Sequence, residues 1–390
     1  MAKVLIDEVK IQELLTRGVE NIYPNKEFLE QKLKDGAELR VYLGIDPTGP
    51  DLHLGHSVQL LTLKRFQDLG HKTILVVGDF TARVGDPSGR DQRRIPLTEE
   101  QVEENEKKYK EQIGKVLDLK KTEIRHNGDW LGKFRFENVL ELASKKTVQQ
   151  LLDRDMFQKR IEKGEPIGAN EFLYPLMQGY DSVALEVDGE LGATDQTFNM
   201  LVGRDLERGY LNKEKFVLAT RLLVNPKTGE KMMSKTAGNY ISLRASPIEM
   251  YSGVMALPDE AVFEMFELCT EVPMGKISVL KSESILKAKQ DLAFEIAKIY
   301  HGEKEAEKAK DEWSRVFSKG EYPSEMEQVE RRRLVELVGI VTQDSSSSAK
   351  ILIDQGAVRV NGEVRKEWNF MPEAGDIIQI GPRKFVKVKK

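Results

Sequence analysis

Residues 39–46, LRVYLGID, alternate apolar with other side chains, and 73–77, TILVV, form a short unbroken apolar run suited to a strand buried on both faces of a parallel sheet. Between them, residues 57–69 carry helical spacing. That order predicts a strand, helix, strand unit with a right-handed crossover. Further strands are expected at 122–126 and 215–224, alternating with helices near 99–118, 134–163, 170–186 and 195–208. The first 225 residues therefore read as a doubly wound α/β domain. After Ser246-Pro247, a helix start, residues 247–315 keep helical spacing with few β-branched runs, which predicts a helical domain. The polar stretch SKGEYPSEMEQVERRR over 318–333 holds Gly320 and Pro323 and suits a linker before a third unit of about 60 residues. The expected organisation is 1–225, 226–320, a linker at 321–333, and 334–390.

Composition narrows the class. The 390 residues are 40% apolar and 32% charged, with a formal charge of -4, as in a soluble globular protein. No apolar run approaches the roughly 20 residues a bilayer requires, and Lys, Asp and Glu interrupt MAKVLIDEVKIQELL at the start, so no membrane partner and no secretion are expected. The single Cys269 can build neither an intrachain disulfide nor a cysteine-based zinc site, and the cytoplasm is the expected compartment. Charge is also uneven. Residues 331–390 hold 12 Lys/Arg against 7 Asp/Glu, while residues 1–330 hold 48 against 57. A basic unit that also looks folded suggests a polyanionic partner.

Chemistry concentrates where strands are expected to end. Two of the five histidines, His53 and His56, lie in Asp46-Pro47-Thr48-Gly49-Pro50-Asp51-Leu52-His53-Leu54-Gly55-His56, between the first strand and its crossover helix. Open α/β sheets bind ligands there, and the helix start offers N–H groups to phosphate while two imidazoles can donate to charge developing on its oxygens. A zinc reading of these histidines fails for want of further ligands nearby, so no protein-built metal site is expected. The loop after the second strand runs Gly85-Asp86-Pro87-Ser88-Gly89-Arg90, with Arg93 and Arg94 beyond; Asp86 could pair with a ligand ammonium and the arginines with a polyphosphate. Tyr174, Gln178 and Asp181 share one face of an expected helix, and their phenol, amide and carboxylate suit the polar groups of an amino acid. Finally, Lys227-Thr228-Gly229-Glu230-Lys231-Met232-Met233-Ser234-Lys235-Thr236 is a lysine-rich loop that could close over a polyphosphate. Alone, it would read as a solvated turn.

In this order, His53-Leu54-Gly55-His56 resembles the HIGH signature, and Met232 to Thr236 the KMSKS signature, of class I aminoacyl-tRNA synthetases. The resemblance is to the bacterial tyrosyl-tRNA synthetases over nearly the whole chain, through Tyr42 to Thr48, Gly85 to Gly89, Tyr174 to Asp181 and Gly192-Ala193-Thr194-Asp195-Gln196. It implies a Rossmann-type catalytic domain, an α-helical domain, and a small α+β RNA-binding domain resembling that of the fourth small-subunit ribosomal protein. It also implies tyrosine and ATP as substrates, with magnesium accompanying ATP, no tightly bound cofactor, and the tRNA for tyrosine as partner. A homodimer is implied, with 126–165 inserted at its interface.

By the same resemblance Tyr42 and Asp181 hydrogen-bond the substrate phenol, and Asp86, Tyr174 and Gln178 hold its ammonium. Thr48, His53, Lys235 and Thr236 act on the β and γ phosphates. His56, Gly192 and Asp195 lie near adenosine, Gln196 near the α-phosphate, and Gly44, Asp46, Gly55 and Lys231 line the ATP site. In the basic unit, Lys350, Arg359, Arg365 and Lys366 are expected phosphate contacts. Asn361-Gly362 is a hairpin turn on its own chemistry. Two departures stand out: Met232 replaces the first signature lysine, with Lys231 one place earlier, and Leu43 stands where some relatives have cysteine. Tryptophanyl-tRNA synthetases share both signatures, but Tyr42 with Asp181 suits a phenol rather than an indole. A non-catalytic RNA-binding protein would not need His53, His56, Asp86 and Lys235, and a generic nucleotidyltransferase would not need the basic tail.

Overall fold

The two apolar runs become neighbouring strands at the centre of a six-stranded sheet. Its strands are β1 (Val19–Tyr23), β2 (Arg40–Ile45), β3 (Lys72–Val77), β4 (Thr122–His126), β5 (Gly189–Ala193) and β6 (Phe216–Thr220), in the order β1-β6-β5-β2-β3-β4. The computed structural model describes residues 4–88, 97–233, 240–318, 321–323, 326–342, 345–381 and 384–389. Strands β2 to β6 are parallel, and β1 closes one edge antiparallel to β6. The chain builds outward from β2 through β3 to β4, then crosses back to β5 on the other side of β2. The reversal places a crevice beyond the carboxyl ends of β2 and β5, where open sheets bind ligands.

Several expected elements shift for local reasons. The helix expected over 134–163 is three helices, Phe136–Ala143, Val148–Leu152 and Asp155–Glu162, because the Thr147 side chain accepts from Gln150 N and starts a new turn. The strand expected over 215–224 ends at Thr220. Strand β5, Gly-Glu-Leu-Gly-Ala, has no obvious strand pattern, yet Gly189 is required there: a Cβ would lie 2.0 Å from the Phe216 ring. The Ala169–Leu185 helix packs on the Thr197–Leu211 helix at Gly179 and Gly203; a Cβ on Gly203 would come within 2.7 Å of Lys215 Nζ and 2.9 Å of Ser182 Oγ.

Five helices fill 247–313, starting where Ser246 caps the Pro247–Met255 helix with Pro247 at its first position. They are not insulated from the sheet. One continuous core joins Leu60, Phe66 and Phe216 to Phe266, Leu292 and Ile296. Buried Arg17 adds a polar tie, donating to the carbonyls of Phe266, Glu267 and Thr270 at the end of the Val262–Cys269 helix, at 3.1, 2.8 and 2.7 Å.

The C-terminal unit has its own core, including Leu334, Val338, Ala349, Ile353, Val358, Ile378 and Val386. Its sheet is β7 (Glu327–Val329), β8 (Val358–Val360), β9 (Glu363–Val364), β10 (Ile377–Ile380) and β11 (Lys384–Val388), ordered β7-β11-β10-β8-β9. The stretch expected as a linker at 321–333 thus contributes the edge strand β7, which pairs parallel with β11. Asn361 and Gly362 make the two-residue turn between β8 and β9, with φ of 49° and 87°. Ser345 caps the Ser346–Asp354 helix.

One buried charge is left uncompensated by hydrogen bonds. Glu207, on the Thr197–Leu211 helix, is fully buried, and neither carboxylate oxygen has a hydrogen-bond partner among the described residues. Burial pushes its carboxyl from 4.5 up to about 8, against the pull of Lys215 and Lys213. Between those values the folded protein holds a proton that the unfolded chain releases, so stability contributed by this group falls as pH rises through that window. Glu207→Gln is therefore expected to stabilise the protein at pH 8 relative to pH 5, by on the order of 1 kcal/mol or more. Denaturant midpoints of both proteins at the two pH values check this; an equal shift at both would contradict it.

Candidate active site at the carboxyl ends of the parallel strands

The histidine turn follows β2 directly. Gly44 and Thr48 are exposed, and Thr48 N donates to Asp46 O at 2.8 Å. His53 caps the Leu54–Asp68 helix: its Nδ1 accepts from Gly55 N at 3.2 Å, while His56 Nδ1 accepts from His53 N at 3.2 Å. With both Nδ1 atoms acting as acceptors, each neutral ring carries its proton on Nε2. The rings sit 4.0 Å apart. A Cβ on Gly55 would lie 2.9 Å from the His53 ring, so a larger residue there would displace the imidazole.

The second signature is stitched to the first. Leu54 N donates to Ile241 O at 3.1 Å and Leu243 N to Leu52 O at 2.9 Å, bracketing a His53–Ser242 bridge. Met233 is buried at φ 61°, accepts from Ile241 N through its sulfur at 3.4 Å, and has its Cβ 3.5 Å from where a Gly55 Cβ would stand. Met232 packs against the main core, with its N bonded to Leu223 O at 2.8 Å. Lys231 reaches Asp195 Oδ2 at 3.0 Å. Two residues assigned to the phosphates, Lys235 and Thr236, lie outside the described residues, as do Arg90, Arg93 and Arg94.

Beneath this rim, Tyr42 and Asp181 are both buried, on β2 and on the Ala169–Leu185 helix. Asp181 Oδ1 accepts from Trp130 Nε1 at 2.9 Å and Oδ2 from Asn127 Nδ2 at 3.4 Å. Burial holds its carboxyl well above the usual range, opposed by those two donors. The Tyr42 phenol is likewise pushed up, by burial first and then by the carboxylates of Glu190 and Asp181. The Tyr42 hydroxyl meets Ser182 Oγ at 3.1 Å.

A second polar cluster lies between the two ends. Asp86 Oδ2 accepts from Gln196 Nε2 at 2.8 Å, and its Oδ1 from Ser88 N at 2.9 Å. Buried Asn199 gathers the rest, with Nδ2 at 3.1 Å from Gln196 Oε1, 2.9 Å from Gln178 Oε1 and 3.3 Å from Ser88 Oγ. Gln178 Nε2 in turn donates to Glu190 Oε1 at 3.0 Å. Arg154, buried against the Phe157 and Phe198 rings, donates to Ser88 Oγ at 2.7 Å, and burial lowers its pKa. Asp46 and Tyr174 form a pair apart: Tyr174 Oη donates to Asp46 Oδ2 at 2.7 Å, and Thr81 Oγ1 to Asp46 Oδ1 at 2.7 Å. Gly192 is buried at the end of β5, where a Cβ would lie 2.8 Å from Met200 Sδ.

The structure thus groups Tyr42 with Asp181, Asp86 with Gln196 and Gln178, His53 with His56, and Asp195 with Lys231. It also adds residues that sequence reading passed over: Asn127, Trp130, Arg154, Ser182, Glu190, Asn199 and Lys215. Two of these carried a signal, since Glu190 and Lys215 are charges inside or beside apolar strand runs, where a charge persists only if paired. Asn127 and Trp130 follow the carboxyl end of β4, the same position rule that marks the other loops.

The basic candidates of the C-terminal unit make local contacts of their own or stand exposed. Lys350 Nζ stands 4.7 Å over the Trp368 ring, and Arg359 donates to Gly362 O at 3.3 Å. Arg365 pairs with Glu363 at 3.1 Å and stacks on Phe370, while Lys366 is exposed.

Comparison with known proteins identifies the family. The family model of tRNA synthetases class I (W and Y) matches residues 34–318. The tyrosine–tRNA ligase of Thermotoga maritima is 44% identical, covering 98% of this chain and 97% of that protein, and the one from Aquifex aeolicus is 41% identical over 96% and 97%. In fold, the chain is similar to the C-terminally truncated mitochondrial tyrosyl-tRNA synthetase of Aspergillus nidulans, with a TM-score of 0.66 at 23% identity over 79% of this chain and 94% of that one. It is also similar to the tyrosyl-tRNA synthetase of Archaeoglobus fulgidus solved with L-tyrosine, with a TM-score of 0.61 at 21% identity over 78% and 100%. With the family match over 34–318 and 44% identity over nearly the full length, the chain belongs to the class I tRNA synthetases of the W and Y group and, within it, to the tyrosine–tRNA ligases.

Proposed function

We propose that this enzyme activates tyrosine with ATP and passes it to the 3′ end of its tRNA, the substrate phenol standing between Tyr42 and Asp181. The observation that carries the reading is that buried pair, Tyr42 on β2, the strand the histidine turn follows, and Asp181 on the Ala169–Leu185 helix. A floor built for a hydroxyl leaves its own polar groups unpaired when phenylalanine enters, and that desolvation rejects the analogue.

In the first step the tyrosine carboxylate attacks the α-phosphorus and pyrophosphate departs. In the second, a terminal ribose hydroxyl of the tRNA attacks the carbonyl carbon of the adenylate and AMP leaves. The nucleophile belongs to a substrate in both, so the protein supplies position and charge stabilisation. Asp86, Gln178 and Tyr174 hold the ammonium. Gln196, bonded to Asp86, lies beside the α-phosphate. Thr48, His53, Lys235 and Thr236 meet the leaving phosphates; His56, Gly192 and Asp195 border adenosine; Gly44, Asp46, Gly55 and Lys231 complete the ATP site. The Nε2–H groups of the two histidines are suited to donate to phosphate oxygens as negative charge moves onto pyrophosphate.

The described residues contain no group of three or more His, Cys, Asp or Glu that could hold a metal ion. Magnesium is proposed to enter with ATP, since Mg2+ usually keeps waters and substrate phosphates as its ligands. Lys350, Arg359, Arg365 and Lys366 are proposed to touch tRNA phosphates. On the Phe136–Ala143 helix, Phe136 and Leu140 are 76% and 55% exposed one turn apart, which supports a second copy covering this face. No helix among the described residues is long and apolar enough to cross a membrane, and the proposed site of action is the cytoplasm.

Tyrosine-dependent exchange of labelled pyrophosphate into ATP is expected, falling by about 100-fold or more in His53→Ala and in Lys235→Ala while circular dichroism stays unchanged. Retained exchange in both variants would refute their assignment. Placing aspartate at both Phe136 and Leu140 is expected to convert a dimer into monomers in analytical ultracentrifugation; an unchanged sedimentation coefficient would rule out this face.

A further inference from the structure

Behind the phenol floor lies an ion pair that the reaction does not touch. Lys215, just before β6, is fully buried and donates to Ser182 Oγ at 2.6 Å and to Glu190, itself 1% exposed on β5. Ser182, on the Ala169–Leu185 helix, is fully buried too, and its Oγ meets the Tyr42 hydroxyl at 3.1 Å. Four elements thus converge on one chain of polar atoms: Lys215, Ser182, Tyr42, and then the pocket.

The chain has a direction. An ammonium only donates, so Ser182 Oγ accepts from Lys215 and must send its single hydrogen elsewhere. Two acceptors are in reach, Tyr42 Oη at 3.1 Å and Glu190 Oε2 at 3.5 Å. The nearer is Tyr42. With its oxygen accepting from Ser182, the Tyr42 hydroxyl turns its own hydrogen away; its other acceptors among the described residues are Gln178 O, at 3.5 Å, and the Glu190 carboxylate, which Lys215 already engages. Tyr42 therefore presents a donor to the pocket. Asp181, whose oxygens accept from Trp130 and Asn127, presents an acceptor. A ligand group that accepts from one side and donates to the other is a hydroxyl.

We propose that Lys215, paired with Glu190 and acting through Ser182, is a positioning residue that fixes the Tyr42 hydroxyl as a donor and so sets the hydroxyl selectivity of the pocket. Burying an ion pair carries a heavy desolvation cost, and an apolar pair would fill the space at least as stably, so stability alone gives no reason for a lysine here. Gly203 points the same way: any side chain there would strike Lys215 Nζ or Ser182 Oγ, so the Thr197–Leu211 helix is cut back to admit them. Gln178 Nε2 bonds the same Glu190 from the ammonium side, which ties the two ends of the amino-acid site to one carboxylate.

The inference rests on the tyrosine-activation reading, and the test separates the two. Pyrophosphate exchange is measured with tyrosine and with phenylalanine for the wild type, for Ser182→Ala, and for Lys215→Met combined with Glu190→Gln, which removes both charges so that no buried carboxylate is stranded. The expected result is a fall of about tenfold or more in the tyrosine-to-phenylalanine ratio of kcat/KM in both variants, with the KM for ATP unchanged. In a Tyr42→Phe background, Ser182→Ala is expected to have no further effect on that ratio, whereas a purely structural role would add its loss in either background. Ser182→Thr, which keeps the hydroxyl, should restore the ratio. If Ser182→Ala lowers exchange equally with both amino acids, or leaves the ratio unchanged, the positioning role is wrong while the activation reading stands. A wild type without tyrosine-dependent exchange would overturn both.

Discussion

A buried polar group must find a partner or lose far more than a hydrogen bond is worth, and the substrate pocket is built from that constraint. Tyr42, Asp181, Ser182, Glu190, Asn199 and Lys215 are all buried, and each meets another polar side chain close enough to hydrogen-bond. Such a network holds few alternative geometries, because breaking one contact strands several groups in a low-dielectric interior. The pocket is stiff for that reason. The same stiffness gives it a chemical preference, since a ligand without a hydroxyl cannot repay the groups it covers. Glu207 shows the opposite case: with no hydrogen-bond partner among the described residues, burial shifts its carboxyl toward the neutral form instead.

The sheet determines where this network can sit. Strands β2 and β5 end side by side only because the winding reverses between them, and that reversal opens the crevice. The crossover helix after β2 starts at His53, so its first turn faces the crevice with two imidazoles whose Nδ1 atoms are already bonded to backbone. Backbone bonds between Leu54 and Ile241 and between Leu243 and Leu52 then fasten the stretch 241–243, which follows the lysine-rich loop, to the same turn. The residues proposed to recognise the amino acid and those proposed to meet the phosphates are thereby built on one frame. The helical region continues that frame, because its core is contiguous with the sheet and Arg17 ties the N-terminal segment to it through three carbonyls.

Much of this was legible in the sequence, for physical reasons that also explain the gaps. Strand β3 announced itself because a strand buried on both faces needs unbroken apolar side chains, and β2 through its alternation of apolar with other residues; β5 did not, because Phe216 crowds it and glycine has no pattern to show. Ser246-Pro247 and Asn361-Gly362 were readable because caps and two-residue turns depend on a few residues of fixed chemistry. The sheet edge inside the expected linker was not, since the short Glu327-Gln328-Val329 gains strand character only from pairing with β11. Among site residues, those on the histidine turn and the Tyr174–Asp181 helix face stood out by type and spacing. Asn199, Ser182 and Lys215 come from separate helices and strands, and only the fold makes them neighbours. Asp46 was assigned to ATP from the resemblance, but its two oxygens take the hydroxyls of Tyr174 and Thr81, a role no linear pattern displays.

The central claim is that the floor of the pocket recognises a hydroxyl and does so before any chemistry. Equilibrium binding of tyrosine, phenylalanine and tryptophan to the free enzyme, by isothermal titration calorimetry without ATP, tests it directly. The account predicts that tyrosine binds at least about 100-fold more tightly than phenylalanine, the cost of leaving two buried polar groups unpaired, and that tryptophan does not compete. Equal affinity for tyrosine and phenylalanine would contradict it.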